Sequence, residues 1–296
     1  YLHCMSKEFL QSFEIVLFPN LLTVFCIFLN VVLNILFVFG YGFIPEMGAA
    51  GLAIASLITR YFMGIVLFLY CFKKVKIKHH KDKNYYFDLI KVGIPSSIAV
   101  MIEFVAFNGM TVILGRISGV YAAAMNIICT ITSVSFMIPL ALGNAAAVKV
   151  GFTNGARDFK SLKEYAKTAL MLAGGFMACS SVVVATAPGI IAGLFTKDPV
   201  LIQVCVPAIY LLCFMQIFDG LQATLAGIFR GLKQTEIVMI SNFIAFWIVA
   251  LPLGSLLGLY YKMNLIGFWY ALVVAVIILC AIMGITLKKK FKTMEG

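Results

Sequence analysis

Residues 200–229 read VLIQVCVPAIYLLCFMQIFDGLQATLAGIF and carry one charged side chain, Asp219. A helix needs about 20 mainly apolar residues to cross a hydrocarbon core, and this run exceeds that. Seven further runs of the same kind fill the chain on either side, at 13–39, 48–72, 88–115, 120–147, 164–187, 235–258 and 264–287. The links between them carry turn chemistry or charge. Examples are Gly40-Tyr41-Gly42 with Pro45-Glu46, the basic stretch from Lys73 to Asp88, and Lys149–Lys163. A lipid-exposed backbone must satisfy its own hydrogen bonds, and long apolar runs do so as helices. The expected fold is an all-α integral membrane protein with eight transmembrane helices.

Composition points the same way. Of 296 residues, 62% are apolar and 12% charged, and mean hydropathy is +1.04. Soluble domains carry roughly 25% charged residues. So few charges cannot cover a soluble domain of this size, which excludes a disordered chain and a soluble enzyme. Net charge is +11, but the basic residues sit mostly between the apolar runs and read as topology signals. No basic patch is interleaved with aromatics, so nucleic acid is not an expected partner. There are eight cysteines and no CxxC. All but Cys4 lie in or at the end of apolar runs, as small packing residues rather than metal ligands. His3 stands at the start, and His79 and His80 stand in the basic loop. No metal or cofactor is expected, apart from a coupling ion. No secretory pattern precedes the first run. The first residue is Tyr1 rather than Met, so the chain is expected to be a fragment, a processed product or an incomplete gene product.

Eight crossings put both ends on one side. Nineteen Lys and Arg then fall on that side, three (Arg116, Lys197, Lys262) on the other, and Arg60 lies within the second span. The bias predicts cytoplasmic termini. An internal repeat is also visible: Met47-Gly48-Ala49-Ala50-Gly51 and Met263-Asn264-Leu265-Ile266-Gly267 each open the second span of a short-linked pair. A parent built of two similar units, the first cut short here, would give that pattern.

The acids inside the spans are the most informative residues. A carboxylate at helix centre costs about 2.5–3.5 kcal/mol on insertion scales. Glu103 sits mid-span in Val100-Met101-Ile102-Glu103-Phe104, and Asp219 sits in Gln216-Ile217-Phe218-Asp219-Gly220-Leu221-Gln222. The i−3, i, i+3 spacing puts Gln216, Asp219 and Gln222 on one face, which must meet protein or water. Such groups bind protons, Na⁺ or cationic substrates, form buried ion pairs with Arg60 or Arg116, or stay protonated and only hydrogen-bond. Asn30 and Asn34 lie four apart on the first span, as helix-joining amides or as cavity lining. Asn126 and Asn242 are weaker polar candidates, and Glu14 is expected at the membrane edge. Pro95, Pro139, Pro188, Pro207 and Pro252 mark expected bends. Val150-Gly151-Phe152-Thr153-Asn154-Gly155 lacks the Lys-Ser/Thr pair of a P-loop, so energy would come from a gradient.

These residues resemble a family. Val92-Gly93-Ile94-Pro95-Ser96-Ser97 with Met101 to Phe107 is similar to the seventh helix of multidrug and toxic compound extrusion (MATE) transporters. Pro139 and Ala145 to Gly151 resemble the eighth helix. Phe218 to Gln222 with Gly227 to Gly231, then Leu251-Pro252-Leu253-Gly254, resemble the tenth and eleventh. Leu29-Asn30 to Asn34 with Gly48 to Ser56 matches the fifth and sixth. The resemblance covers roughly 10–287.

It implies two six-helix bundles around a central cavity, alternating access, and export of organic cations or drugs coupled to H⁺ or Na⁺. It divides the chain into 1–72, the end of the first bundle; 73–87, a basic cytoplasmic linker; 88–287, the whole second bundle; and 288–296, a basic cytoplasmic tail. The first four helices of the parent would be the missing partner. Glu103 and Asp219 match the family's acids for cation coupling and substrate binding. Asn30, Asn34, Asn108, Gln216 and Gln222 are the cavity-lining candidates. Some members carry acids where Asn108 and Asn34 stand, and the usual Arg-Gly-x-Gly reads Arg230-Gly231-Leu232-Lys233 here. The chain alone is expected not to transport. The alternatives are a flippase for lipid-linked oligosaccharides, which handles anions and would call for basic intramembrane residues, and a membrane fragment that only packs with a partner. An enzyme is not expected, since the spans hold no histidine.

Overall fold

The computed structural model describes residues 2–13, 15–40, 45–75 and 83–295, the side chains of 83–85, 88 and 295 apart. Glu14, Tyr41-Gly42, His79, His80 and the middle of the basic linker lie outside the described residues. Among the described residues there is no strand, and eight helices are long and apolar enough to cross a membrane. The chain divides into two compact units, Tyr1–Asp82 and Lys83–Gly296.

The smaller unit contains α1 (Leu2–Ser12), α2 (Leu17–Phe39) and α3 (Gly48–Lys74). The short α1 is not evident from the sequence. Its 11 residues are too few to span, and they include His3, Ser6, Lys7, Glu8 and Gln11. It packs on α3 through a small core of Leu10, Leu67 and Cys71. The α2–α3 pair is fastened at one end by Phe18 stacked on Tyr70 at 4.0 Å. Mid-span, Asn30 Nδ2 donates to Thr59 Oγ1 at 3.4 Å, and Asn34 Nδ2 donates to Asn30 Oδ1 at 3.0 Å.

The larger unit contains α4 (Lys83–Ile117), α5 (Gly119–Gly155), α6 (Phe159–Thr186), α7 (Pro188–Gly193) and α8 (Pro199–Gly231). The chain's seventh span runs as α9 (Thr235–Asn242), a π-helical stretch Phe243–Ala250, α10 (Leu251–Ser255) and a second π-helical stretch Leu256–Tyr260. The last helix is α11 (Asn264–Glu295). Local chemistry sets the starts. Ser118 Oγ accepts from Val120 N at 3.3 Å, and Asp158 Oδ1 accepts from Ser161 N at 3.2 Å. Asp198 Oδ1 accepts from Val200 N at 2.9 Å, with Pro199 at the first helical position. These bonds satisfy amides that a helix start leaves without partners.

The prolines behave differently from one another. Helix continues through Pro95, Pro139 and Pro207, while Pro188 begins α7. Regular α geometry gives way only around Pro252, which lies between the two π-helical stretches. Proline withholds one N–H, and a shift to i→i+5 bonding is one way a helix takes up the defect.

The core centres on α8 and α11, with Trp269, Phe229, Phe246 and Phe268 fully buried. The α5–α8 contact is made by small residues at four-residue spacing on both helices: Gly143, Ala147 and Gly151 face Ala223, Gly227 and Gly231. A Cβ on Gly143 would stand 2.7 Å from the Ala223 carbonyl oxygen, and one on Gly231 2.6 Å from that of Ala147. With no hydrophobic drive between helices in lipid, close backbone approach through small residues supplies the packing energy. Large apolar side chains such as Leu21 and Phe28 in the smaller unit and Met171 and Val182 in the larger are exposed, as an apolar solvent requires.

The repeat read from the sequence has a structural counterpart. Gly48 and Asn264 both take positive φ, +51° and +50°. The preceding amides, Met47 N and Met263 N, bond back to Phe37 O and Leu257 O at 3.0 and 3.1 Å. Three residues on, Gly51 lies against the Phe37 backbone and Gly267 against that of Leu257 and Gly258. The second span of each pair thus begins through a similar device.

Candidate functional site

A cavity of about 590 Å³ opens within the larger unit, walled by α4, α5, α8 and α9. Volumes of 300–1,000 Å³ are those of small-molecule sites. Glu103 and Asn108 reach it from α4, Asn126 from α5, Asp219 and Gln222 from α8, and Asn242 from α9. The rest of the wall is largely apolar, with the rings of Phe104, Phe107 and Phe136 among its members. Asp219 and Gln222 are buried, and Glu103 is half-buried. The two carboxyls stand on different helices and face one cavity.

The α4 wall is held by side chains of the seventh span. Thr235 Oγ1 donates to Val92 O at 3.0 Å, Asn242 Nδ2 to Ala99 O at 3.2 Å, and Trp247 Nε1 to Ile102 O at 3.3 Å. These bonds grip α4 over the turns that lead into Glu103. Phe107 packs against Phe246 at 5.7 Å between centroids, one turn beyond it. With its Nδ2 so engaged, Asn242 leaves Oδ1 buried without a partner, as is Gln222 Oε1.

Of the residues singled out in the sequence, Glu103, Asn108, Asp219 and Gln222 meet in this cavity, and so do the weaker candidates Asn126 and Asn242. Gln216 is buried on the same helix, yet its Nε2 donates to Ser180 Oγ at 2.8 Å, and Ser180 Oγ in turn donates to Ser135 Oγ at 3.1 Å. Its place is in a polar relay joining α8, α6 and α5. Asn30 and Asn34 belong to the smaller unit, where their amides join α2 to α3.

Two features escaped the sequence reading. Arg230, read there within Arg230-Gly231-Leu232-Lys233 but not as a cavity residue, lines the cavity and donates from Nη2 to Asn144 Oδ1 at 3.1 Å. It lies eleven residues along α8 from Asp219, about 16 Å at 1.5 Å per residue. The aromatic wall was also missed, although Phe107 follows Glu103 at the i+4 spacing that shares a face. Cys129 lines the cavity too, and all eight cysteines are free thiols. Among the described residues no three His, Cys, Asp or Glu side chains are grouped to hold a metal ion.

Comparison with known proteins gives concordant results. The MatE family model matches residues 95–256, more than half of the chain. A protein of Photorhabdus laumondii described as "Probable multidrug resistance protein NorM" is 30% identical over 298 residues, covering 97% of this chain and 66% of that protein. A Bacillus subtilis protein of the same description is 26% identical, covering 92% and 62%. The chain therefore spans just under two thirds of the length of the curated relatives it matches. Among solved structures, the eukaryotic MATE transporter AtDTX14 superposes with a TM-score of 0.86 at 23% identity, over 97% of this chain and 66% of that one. An outward-facing multidrug resistance MATE transporter gives 0.87 at 18% identity, over 95% and 64%. At those identities the likeness shows the fold alone. The chain belongs to the MatE family.

Proposed function

We propose that the cavity of the larger unit is the cation site of a secondary exporter, in which Glu103 and Asp219 bind either an organic cation or the coupling ion, H⁺ or Na⁺. The observation that carries this reading is the convergence of two carboxyls from separate helices on one largely apolar, ring-lined cavity. An organic cation finds there a negative charge and aromatic faces that attract cations. A proton or Na⁺ taken up by the carboxyls cancels that charge and releases the organic cation. Binding of the two is then mutually exclusive at one site, which is what exchange requires. In this account the lysine-rich ends of the spans face the cytoplasm, residues 1–72 and 88–287 belong to two bundles, and Asn108, Asn126, Gln222 and Asn242 supply uncharged polar contacts.

Efflux of a fluorescent organic cation such as ethidium tests the reading. It is measured from cells that make the protein in full and from cells making Glu103→Gln or Asp219→Asn at equal membrane levels. Each substitution keeps shape and hydrogen bonding and removes the exchangeable charge. The expected result is loss of gradient-driven efflux in both variants. Efflux unchanged from that of the unmodified protein in either variant overturns the assignment.

A further inference from the structure

We propose that a groove between α6 and α11, at the lysine-rich end of the larger unit, binds the headgroup and upper chain of an anionic phospholipid. The groove is about 380 Å³ and is lined by Lys163, Lys167, Leu170, Met171 and Phe291. It shares no lining residue with the cation cavity and is independent of the export reading.

The order of residues along α6 matches the order of chemistry along a phospholipid. Lys163 and Lys167 are four residues apart, both exposed, and so share one face. Leu170 and the exposed Met171 follow on the next turn, and Phe291 closes the groove from α11. The helix begins at Phe159 and its apolar run near residue 164, which places the two lysines at the border of that run, at headgroup depth. Lysines at that depth extend their ammonium groups to the interface while their stems cover apolar surface. The two lysines that line the groove both come from α6, and Phe291 closes it from the α11 end that also carries Lys288, Lys289, Lys290 and Lys292. Lys149, from α5, lies over the ring of Tyr165, 6.0 Å from its centroid.

Charge complementarity selects the occupant. Phosphatidylcholine and phosphatidylethanolamine carry an amine that cancels the phosphate, whereas phosphatidylglycerol and cardiolipin present it uncancelled. Basic pockets between transmembrane helices recognise such headgroups. A free phosphate ion would use the two lysines and leave Leu170, Met171 and Phe291 unexploited, so the lipid is the better fit.

The experiment titrates the purified, delipidated chain in detergent with dioleoylphosphatidylglycerol or dioleoylphosphatidylcholine and counts retained lipids by native mass spectrometry. One basic residue near an anionic headgroup is worth about five-fold in affinity. Phosphatidylglycerol is therefore expected to bind at least about five-fold more tightly than phosphatidylcholine, and roughly ten- to thirty-fold more weakly to Lys163→Gln/Lys167→Gln. Lys163→Arg/Lys167→Arg is expected to keep the preference, which separates charge from folding. Lys73→Gln/Lys74→Gln, in the smaller unit, should leave it intact. Equal binding of the two lipids, full binding by the glutamine variant, or displacement by millimolar inorganic phosphate each overturns the proposal.

Discussion

Gly227→Ala adds one methyl group at the α5–α8 crossing, and its cost can be worked from the geometry. The new Cβ would overlap the Gly143 carbonyl oxygen and lie 2.7 Å from Gly143 Cα, where ordinary contacts are 3.4–4 Å. The obstacle is backbone, so no rotamer change relieves it, and the helices must part by the better part of an ångström. That separation also loosens the neighbouring approaches of Gly143 to Ala223 and of Gly231 to Ala147. Overpacking of this kind costs about 1–3 kcal/mol, and a backbone obstacle puts it in the upper half, about 2–3 kcal/mol. For a chain of this size that lowers the unfolding midpoint by roughly 4–6 °C. The assay is thermal unfolding of the purified protein in detergent. The control is Gly175→Ala on α6, where an added Cβ meets nothing within 4 Å and alanine gains up to about 1 kcal/mol of helix propensity. If Gly227→Ala melts within about 1 °C of that control, well inside the shift expected of a packing defect, the close crossing is refuted.

Two other perturbations have expected outcomes. Ser180→Ala removes the acceptor for Gln216 Nε2 while Gln216 Oε1 already lacks a partner. It should cost about 1–3 kcal/mol, and Ser180→Ala with Gln216→Leu should cost less than Ser180→Ala alone, because an orphaned buried amide is dearer than an apolar pair. The comparison of unfolding midpoints checks it. The hydrogen bond from Ser161 holds the Asp158 carboxyl below its usual range, so its support of the α6 start is present above the ordinary carboxylate pKa. That support is lost as pH falls through the lowered value. Amide exchange at Ser161 should accelerate in Asp158→Ala at neutral pH and far less in Asp158→Asn, which can still accept.

The eight spans were legible because each is a long apolar run, and lipid leaves such runs few alternatives to helix. Asp219 and Glu103 were legible because a charge there is expensive and must have a reason. What sequence could not give was which faces meet. Gln216 and Gln222 share a stripe with Asp219, but only the packed bundle sends Gln222 to the cavity and Gln216 to Ser180. Arg230 reads as a loop marker until α8 is laid on α5, which brings Asn144 within 3.1 Å of it. The facing glycines at 143, 151, 227 and 231 are visible as letters, yet their pairing is a property of two helices together. The repeat at Gly48 and Asn264 was faint for a similar reason: what the two turns share is a backbone conformation and a close approach, and one of the two positive-φ residues is asparagine rather than glycine.

The central claim is that Glu103 and Asp219 form one site at which an organic cation and H⁺ or Na⁺ exclude each other. Its most direct test is equilibrium binding of tetraphenylphosphonium to the purified chain, repeated with added protons, with added Na⁺, and in Glu103→Gln/Asp219→Asn. The account predicts saturable binding that one of the two small ions weakens competitively and that the double variant loses. Equal affinity in the double variant, or binding indifferent to both small ions, would contradict it.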